Sequence, residues 1–252
     1  FGSSSRVIHT RLPVGALRLI PDARDGIVRL HLPAGFSYRS FHDTEFPVTL
    51  DDGTRLPGRH DGMGAFRGPD GNVVLVRNHE ITNSPNTAAF GPGTPYDAQA
   101  GAGTTTIEVT PFGEVVHGYT SLNGTMFNCS GGVMPWGSWI TCEETINGPD
   151  VGPDFTFASN VALQKPHGYI FEVPADGVSD RKPITEAGRF AHEAVSFDPV
   201  DGVDPRIARI AVLRHPLLDA AAARIVAGKR HDVGAPVFLE QGGELGSAHL
   251  CI

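Results

Sequence analysis

A short stretch between residues 128 and 144 holds the side chains in this chain that are best suited to chemistry. It contains the thiols Cys129 and Cys142 and the adjacent carboxylates Glu143 and Glu144. Thiolate is a soft metal ligand and carboxylate is a hard one. Their combination within one turn and one strand therefore suits a mixed metal site better than an ordinary core strand. This stretch is the first candidate for a metal centre.

The two neighbouring glutamates are expected to point to opposite faces, because side chains alternate along a strand. Thr141 then shares a face with Glu143, and Cys142 shares the other with Glu144. Only one glutamate is expected to be a direct ligand. We favour Glu143 as the inward carboxylate and Cys142 as a core thiol, and the reverse assignment stays open. A disulfide between Cys129 and Cys142 is a further alternative, since their spacing permits one without requiring it.

Two His-Glu pairs lie at predicted strand junctions and extend this set. His79-Glu80 follows a strongly apolar strand, and His192-Glu193 precedes another. A single pair of this kind is usually a solvated turn. Together with Cys129, however, the pairs would provide carboxylate oxygens for Ca²⁺ or iron and a thiolate for a transition metal.

The elements that must position these residues are predicted to be short strands. A hairpin is expected from the turn Gly68-Pro69-Asp70-Gly71 between two apolar stretches, residues 61–66 and 72–77. Further strands are predicted at residues 27–32, 104–109, 114–119, 138–142, 168–173 and 194–197. Short strands at this density, without helices between them, predict an all-β sandwich, barrel or propeller.

A weak internal echo favours the propeller. In both copies a glycine turn, at Gly71 and at Gly137, starts an apolar strand whose exit presents a carboxylate, Glu80 in one case and Glu143-Glu144 in the other. Blades around a central channel would produce such an echo.

Composition and charge exclude several classes of partner. The 252 residues are long enough to bury a substantial core, and the formal net charge is -8. An acidic surface argues against nucleic acid as a partner, although bound cations can reverse the local sign and admit phosphate. No apolar run approaches the roughly 18 residues that cross a bilayer, so no membrane partner is expected.

Common catalytic motifs are also absent from the sequence. It has no zinc-finger cysteine pairs, no H-E-x-x-H helix, no phosphate-binding glycine loop and no G-x-S-x-G nucleophile elbow. The glycine-rich residues 101–103 open a β-branched strand rather than a helix, which indicates a turn. These absences favour metal-assisted chemistry.

Six motifs in order resemble those of the PhoX-type alkaline phosphatases. They occupy residues 61–66 (DGMGAF), 76–80 (VRNHE), 103–106 (GTTT), 128–132 (NCSGG), 135–144 (PWGSWITCEE) and 192–194 (HEA). Each motif alone is weak, but six in the family's order make coincidence improbable. The resemblance spans roughly residues 27–199.

The resemblance implies a metal-dependent phosphomonoesterase with an irregular six-bladed β-propeller, incomplete in this chain. It implies iron and calcium as cofactors, with Cys129 as the thiolate ligand of iron and Glu193 as a bridging carboxylate. Glu80 and one of Glu143 or Glu144 would complete part of the metal shell. The expected partners are small-molecule phosphate monoesters, and the expected state is a monomer. Family members are usually exported folded by the twin-arginine route, which implies a periplasmic or secreted location.

Catalytic roles are expected for Glu193 and for two arginines near the motifs. Arg77 and Arg189 are candidates for auxiliary phosphate contacts, because guanidinium matches phosphate geometry. A structural ion pair is the commoner role for such residues and remains the alternative for each.

The C-terminal part departs from the family pattern. We predict a partial propeller phosphatase domain over residues 1–199 and an atypical tail over residues 200–252. The tail contains an alanine-rich run at residues 219–223 with helix-like composition and no propeller pattern. A shifted reading frame from about Pro205 is one hypothesis for this tail, and sequencing the coding DNA tests it. A propeller without its last blades would leave edges unpaired and a metal shell incomplete.

Three other functions therefore stay open. The chain could be an inactive fragment of the phosphatase, or a non-catalytic, calcium-stabilised β-propeller that acts as a binding module. It could also be a propeller hydrolase of phosphodiesters or lactones that uses calcium alone. Because calcium takes oxygen ligands rather than a thiolate, Cys129 distinguishes the iron enzyme from the calcium alternatives.

Overall fold

The computed structural model describes residues 15–82, 88–152, 160, 162–198, 207–214 and 224–229. These residues form strands and two single 3₁₀ turns, Pro69–Gly71 and Thr185–Ala187. The strands are β1 Arg18–Pro21, β2 Val28–Leu32, β3 His60–Arg67, β4 Val73–His79, β5 Ala102–Val109, β6 Val115–Thr125, β7 Asn128–Met134, β8 Ser138–Glu143, β9 Ile170–Pro174, β10 His192–Asp198, β11 Ile207–Arg214 and β12 Arg224–Lys229. The predicted all-β class is confirmed.

All strand pairs are antiparallel and connect neighbours along the chain. Strands β1 and β2 form a hairpin, and the other strands form three larger sheets: β3-β4-β5-β6, β7-β8-β9 and β10-β11-β12. Within the described ranges none of these sheets closes on itself. Sequential three- and four-stranded sheets are compatible with blades. The six-bladed propeller itself remains a prediction.

The hairpin of β3 and β4 forms where the sequence predicts it. Pro69 begins the connecting turn, in which Asp70 and Gly71 both have positive φ, 53° and 83°. Aspartate and glycine are the residues that tolerate this conformation best. Cross-strand pairing then runs from Arg67 opposite Val73 to His60 opposite His79.

One apolar cluster lies between the second and third of the larger sheets, and another joins the first and second. All six residues of β8 are buried. Ile140 and Cys142 of this strand join one apolar cluster with Met134, Ile170 and Val195. Burial on both faces explains why β8 reads as a continuous run instead of an alternating pattern. Val195 of the third sheet and Cys129 of β7 belong to the same apolar cluster, so the third sheet packs against the strand that carries Cys129.

The C-terminal part contains two strands, β11 and β12, which pair in sequence with β10. The alanine-rich run at residues 219–223 lies outside the described residues. The boundary at residues 199 and 200, and the shifted frame, remain predictions. Within the described ranges no helix has the length and hydropathy that crossing a bilayer requires.

Candidate metal centre

Three of the predicted ligands converge in the structure. The Sγ atom of Cys129 and one carboxylate oxygen each of Glu144 and Glu193 all lie within 4.8 Å of one another. Cys129 and Glu144 are buried, at 5% and 7% exposure, and Glu193 is half-buried. Among the described residues this is the one group of three or more His, Cys, Asp or Glu side chains close enough to share a metal ion.

Each member of this cluster lies where a strand is irregular or has just ended. The register of β7 against β8 shifts around Cys129, and that of β10 against β11 shifts around Glu193. Glu144 directly follows β8. A bulge re-aims a side chain out of the regular alternation, and a strand end frees one from it. The irregularities therefore bring side chains from three separate segments to one point.

Two glycines let the strands approach closely enough for this convergence. A Cβ atom on Gly62 of β3 would lie 2.7 Å from the carbonyl oxygen of Cys129. A Cβ atom on Gly132 of β7 would lie 2.3 Å from the carbonyl oxygen of Val195 on β10. Real Cβ atoms do not come that close, so any larger residue at either position would push the strands apart.

Asn78 of β4 holds the irregular part of β7 in place. Its Nδ2 donates to the carbonyl oxygens of Cys129 and Ser130, at 3.1 and 2.9 Å. Its Oδ1 accepts from Trp139 Nε1 and Thr141 Oγ1, at 2.9 and 2.8 Å. Asn78 is fully buried. The side chain thus supplies partners for carbonyls where the β7-β8 register breaks.

Two further carboxylates adjoin the cluster. Glu80 directly follows β4 and pairs with Arg59 at 3.0 Å. Asp61 lies where the register of β3 against β4 shifts. Asp61 is exposed overall, but partial desolvation of its carboxyl raises its pKa, and the charges of Glu80 and Glu193 raise it further. Asp61, Glu80, Glu144 and Glu193 therefore form one acidic neighbourhood around the thiol.

The electrostatics of this neighbourhood call for a cation. Burial, followed by the adjacent Glu193, raises the pKa of Glu144 to about 8. Burial also raises the pKa of the Cys129 thiol, with Cys142 and the two glutamates adding to the effect. In this protonation state the thiol hydrogen-bonds the carbonyl oxygen of Glu193 at 3.3 Å. Buried like charges repel one another, and a bound cation removes that repulsion. The donor set of one thiol and several carboxylates fits a metal ion.

Glu143 points away from the cluster, although sequence reasoning favoured it as the inward ligand. Its Oε1 accepts from Met126 N and His167 Nδ1, and its Oε2 accepts from Gly168 N and Tyr169 N. Burial alone would lower the pKa of His167, but Glu143 and Asp97 raise it to about 9. Glu143 is thus held by a protonated histidine and by backbone amides, and Glu144 is the carboxylate beside Cys129.

Neither predicted phosphate-binding arginine is brought to the cluster. Arg189 donates to the carbonyl oxygens of His167 and Ile146 and pairs with Asp150, so it joins two loops. Arg77 contacts Thr105, whereas its neighbour Asn78 contacts the backbone at Cys129. Because alternate side chains face opposite ways, Arg77 lies on the other face of β4.

The two described cysteines are free thiols and do not form the disulfide that their spacing permits. Cys142 is fully buried in the apolar cluster that also contains Cys129. It contributes no atom to the three converging ligand groups. The expectation of Cys142 as a core thiol agrees with this placement.

Sequence reasoning missed two residues of the site, Asp61 and Asn78. Both lie inside motifs that carried the family resemblance, yet neither received a role. A signal was available for each. Asp61 precedes a glycine in an otherwise apolar strand, which often marks a bulge. Asn78 is a polar residue near the end of an apolar strand, two residues before the predicted ligand Glu80.

The fold and the cluster together define an all-β protein with a buried thiol and carboxylate site fit for cations. The family model described as Alkaline phosphatase PhoX matches residues 17–117 and 113–204. The chain therefore belongs to the PhoX alkaline phosphatase family, and phosphatase activity is indicated at the level of the family. A comparison with curated proteins and a comparison with solved structures found no match.

Proposed function

We propose that this chain is a metal-dependent phosphomonoesterase that releases inorganic phosphate from small-molecule phosphate monoesters. One observation carries the proposal: a buried thiol and two glutamates from separate segments converge to within 4.8 Å. Family membership supports the reaction class. The assignment of metal ligands to Cys129, Glu144 and Glu193, with Asp61 and Glu80 beside them, is part of the proposal.

The acidic chain needs cations for this reaction. A phosphate monoester dianion is repelled by a protein of net charge -8 and by buried carboxylates. Bound cations supply the positive charge that orients the ester and stabilises charge on the leaving oxygen. The residues of the chain hold those cations, and the apolar cluster around Cys129 excludes water from one side. A low local dielectric strengthens each of these interactions.

Iron and calcium are the proposed metals. A thiolate at Cys129 favours a transition metal, because calcium takes oxygen ligands. Asp61, Glu80 and Glu144 offer hard oxygens for calcium. Desolvation raises the pKa of both Asp61 and Glu144, and the charge of Glu193 adds to both shifts. The Glu193 carboxylate therefore interacts with both sides of the acidic neighbourhood. This position supports the proposed role of Glu193 as a carboxylate shared between metals and as the catalytic glutamate.

The matched pair Cys129→Ala and Cys142→Ala tests the proposal. Each variant loses one buried thiol from the same apolar cluster, but only Cys129 belongs to the converging group. After loading with iron and Ca²⁺, wild type and Cys142→Ala are expected to hydrolyse a chromogenic phosphate monoester and to show thiolate-to-iron absorption. Cys129→Ala is expected to lose both signals.

Other outcomes would contradict the proposal in distinct ways. Calcium binding without iron absorption or turnover would favour the non-catalytic binding module. Diester turnover exceeding monoester turnover would favour the alternative hydrolase. Zinc as the sole metal in protein expressed with an export signal would count against the iron and calcium assignment.

The finer architecture and location belong to the same proposal. We infer a six-bladed propeller in which the three larger sheets are blades, and an exported, periplasmic or secreted protein that acts as a monomer. Fractionating cells that express the natural gene product tests the location. Recovery of that product in the cytoplasmic fraction alone would contradict it.

A further inference from the structure

Arg59 brings a positive charge to the edge of the acidic neighbourhood around Cys129. Its Nη2 donates to Glu80 Oε2 at 3.0 Å. Desolvation raises the pKa of Asp61 overall, and the charge of Arg59 acts in the opposite direction. Arg59 therefore interacts with at least two of the carboxylates, unlike the two arginines that the sequence suggested.

The backbone fixes the base of the Arg59 side chain. The carbonyl oxygen of Arg59 accepts from the amide of Glu80 at 2.9 Å, and the carbonyl oxygen of Gly58 accepts from His79 Nδ1 at 2.9 Å. Arg59 also has a positive φ of 52°, an uncommon conformation for a residue other than glycine. Residues held in uncommon backbone conformations cluster at active sites and ligand contacts. Two successive contacts to the end of β4 thus hold Arg59 beside Glu80.

The guanidinium lies on the open side of the candidate metal centre. The Arg59 side chain is 56% exposed, and that of Glu80 is 19% exposed. Asp61 is exposed as well. Cys129, by contrast, is buried in the apolar cluster, which closes the site behind the thiol. Solvent therefore reaches the acidic neighbourhood from the side that carries Asp61 and Arg59.

The ion pair with Glu80 leaves most of the hydrogen-bonding capacity of Arg59 unused. A guanidinium has five N–H donors, and among the described residues the contact with Glu80 is the one hydrogen bond that the Arg59 side chain makes. An exposed ion pair of this kind contributes little to stability, because water solvates both partners. The remaining donors point to a ligand that accepts several hydrogen bonds from the solvent side.

We propose that Arg59 binds the phosphoryl group of the monoester substrate, and the phosphate product, at the candidate metal centre. This inference rests on the proposed phosphatase function. Guanidinium pairs with phosphate oxygens through charge-assisted hydrogen bonds of fixed geometry. In the metal-loaded protein the charge of Glu80 serves a cation rather than Arg59, which leaves the guanidinium for the dianion.

Calorimetric titration of inorganic phosphate into the chain loaded with iron and Ca²⁺ tests this contact without requiring turnover. Arg59→Met is expected to bind phosphate roughly tenfold or more weakly than wild type, because a charge-assisted hydrogen bond is lost. The KM for a chromogenic monoester is expected to rise by a similar factor. Arg59→Lys keeps the charge without the planar fork and is expected to fall between the two. Arg55→Met is the matched control, since Arg55 is also exposed and lies four residues before Arg59.

Metal affinity separates a substrate contact from a structural one. Because Arg59 pairs with Glu80, which is a proposed ligand, Arg59→Met is expected to bind iron and Ca²⁺ at least as tightly as wild type. Its thiolate-to-iron absorption and its Tm are expected to stay close to those of wild type. A metal affinity that falls together with the phosphate affinity would show that Arg59 only positions Glu80, and would overturn the inference.

Two further results would overturn the contact: equal phosphate affinity in Arg59→Met and Arg55→Met, or a wild-type chain that takes up both metals and binds no phosphate. The proposed activity fails separately. Phosphate binding that depends on Arg59 in a metal-loaded chain without monoester turnover would contradict the phosphatase function alone. Monoester turnover with the same KM in wild type and Arg59→Met would contradict the Arg59 contact alone.

Discussion

Replacing Asn78 by alanine is expected to weaken metal binding, although Asn78 is not one of the proposed ligands. Asn78 makes four hydrogen bonds through a fully buried amide, two of them to the carbonyl oxygens of Cys129 and Ser130. Its loss frees the stretch of β7 in which the register breaks. The thiol then no longer has a fixed position relative to Glu144 and Glu193, and affinity for a metal depends on that position.

The cost to stability follows from the groups that lose their partners. Asn78→Ala leaves two carbonyl oxygens and the indole N–H of Trp139 without a partner. An unsatisfied buried polar group costs about 1–3 kcal/mol, and water entering the vacated space offsets part of this. We expect a loss of about 3 kcal/mol in the free energy of unfolding. Most domains have about 5–15 kcal/mol, so the variant is expected to fold.

Asn123→Ala is the matched control. Asn123 is also fully buried, and its Nδ2 donates to the carbonyl oxygens of Phe90 and Pro92 at 2.7 and 3.2 Å. Its Oδ1 accepts from Arg181 Nε at 2.7 Å. The two asparagines therefore lose similar bonds, but Asn123 has no hydrogen bond to β7.

Urea unfolding and thiolate-to-metal absorption, measured with iron or with Co²⁺ as a probe, separate the two effects. Both variants are expected to unfold at similarly lower urea concentrations. Only Asn78→Ala is expected to lose at least tenfold in metal affinity and to show a weakened or shifted absorption band. Equal metal affinity in Asn78→Ala and Asn123→Ala would refute the reasoning, whether both variants retain the wild-type affinity or both lose it.

Two other perturbations have calculable outcomes. Gly132→Ala is expected to destabilise the fold and abolish thiolate-to-metal absorption, because its Cβ would lie 2.3 Å from the carbonyl oxygen of Val195. Gly58→Ala serves as the control, since no atom lies within 4 Å of the position of its Cβ. Normal metal binding by Gly132→Ala would contradict the prediction. The second perturbation is a change of pH. Burial would lower the pKa of His167, but the carboxylates of Glu143 and Asp97 raise it to about 9, above the ordinary 6.5. Protonated His167 therefore contributes about 3 kcal/mol to the free energy of unfolding below pH 6.5, and this contribution is lost as the pH rises through 9. His167→Gln is expected to flatten the dependence of stability on pH between these values. An unchanged slope would refute the prediction.

Local sequence signals determined much of the fold. Glycine, proline and aspartate turns marked the β3 and β4 hairpin, and apolar runs marked β5, β8, β9 and β10 close to their observed bounds. These signals act within a few residues, so they can be read without a structure. Strand β7 was harder to recognise, because Asn128 and two glycines lie within it and have low strand propensity.

The choice between the two glutamates shows where local signals end. Alternation correctly put Glu143 and Glu144 on opposite faces, but it carries no information about what each face meets. His167 and three backbone amides, from segments up to 26 residues away, occupy the face of Glu143. Cys129 and Glu193 meet the face of Glu144.

The sequence by itself determined the all-β class, the family and the residue types of a candidate metal site, because strand period, turn chemistry and ordered motifs are properties of neighbouring residues. Only the tertiary structure decided which side chains converge. Bulges at Cys129 and Glu193, and the close strand contacts at Gly62 and Gly132, aim the thiol and carboxylates from separate sheets at one point. The same packing placed Arg77 on the opposite face of β4, away from the cluster.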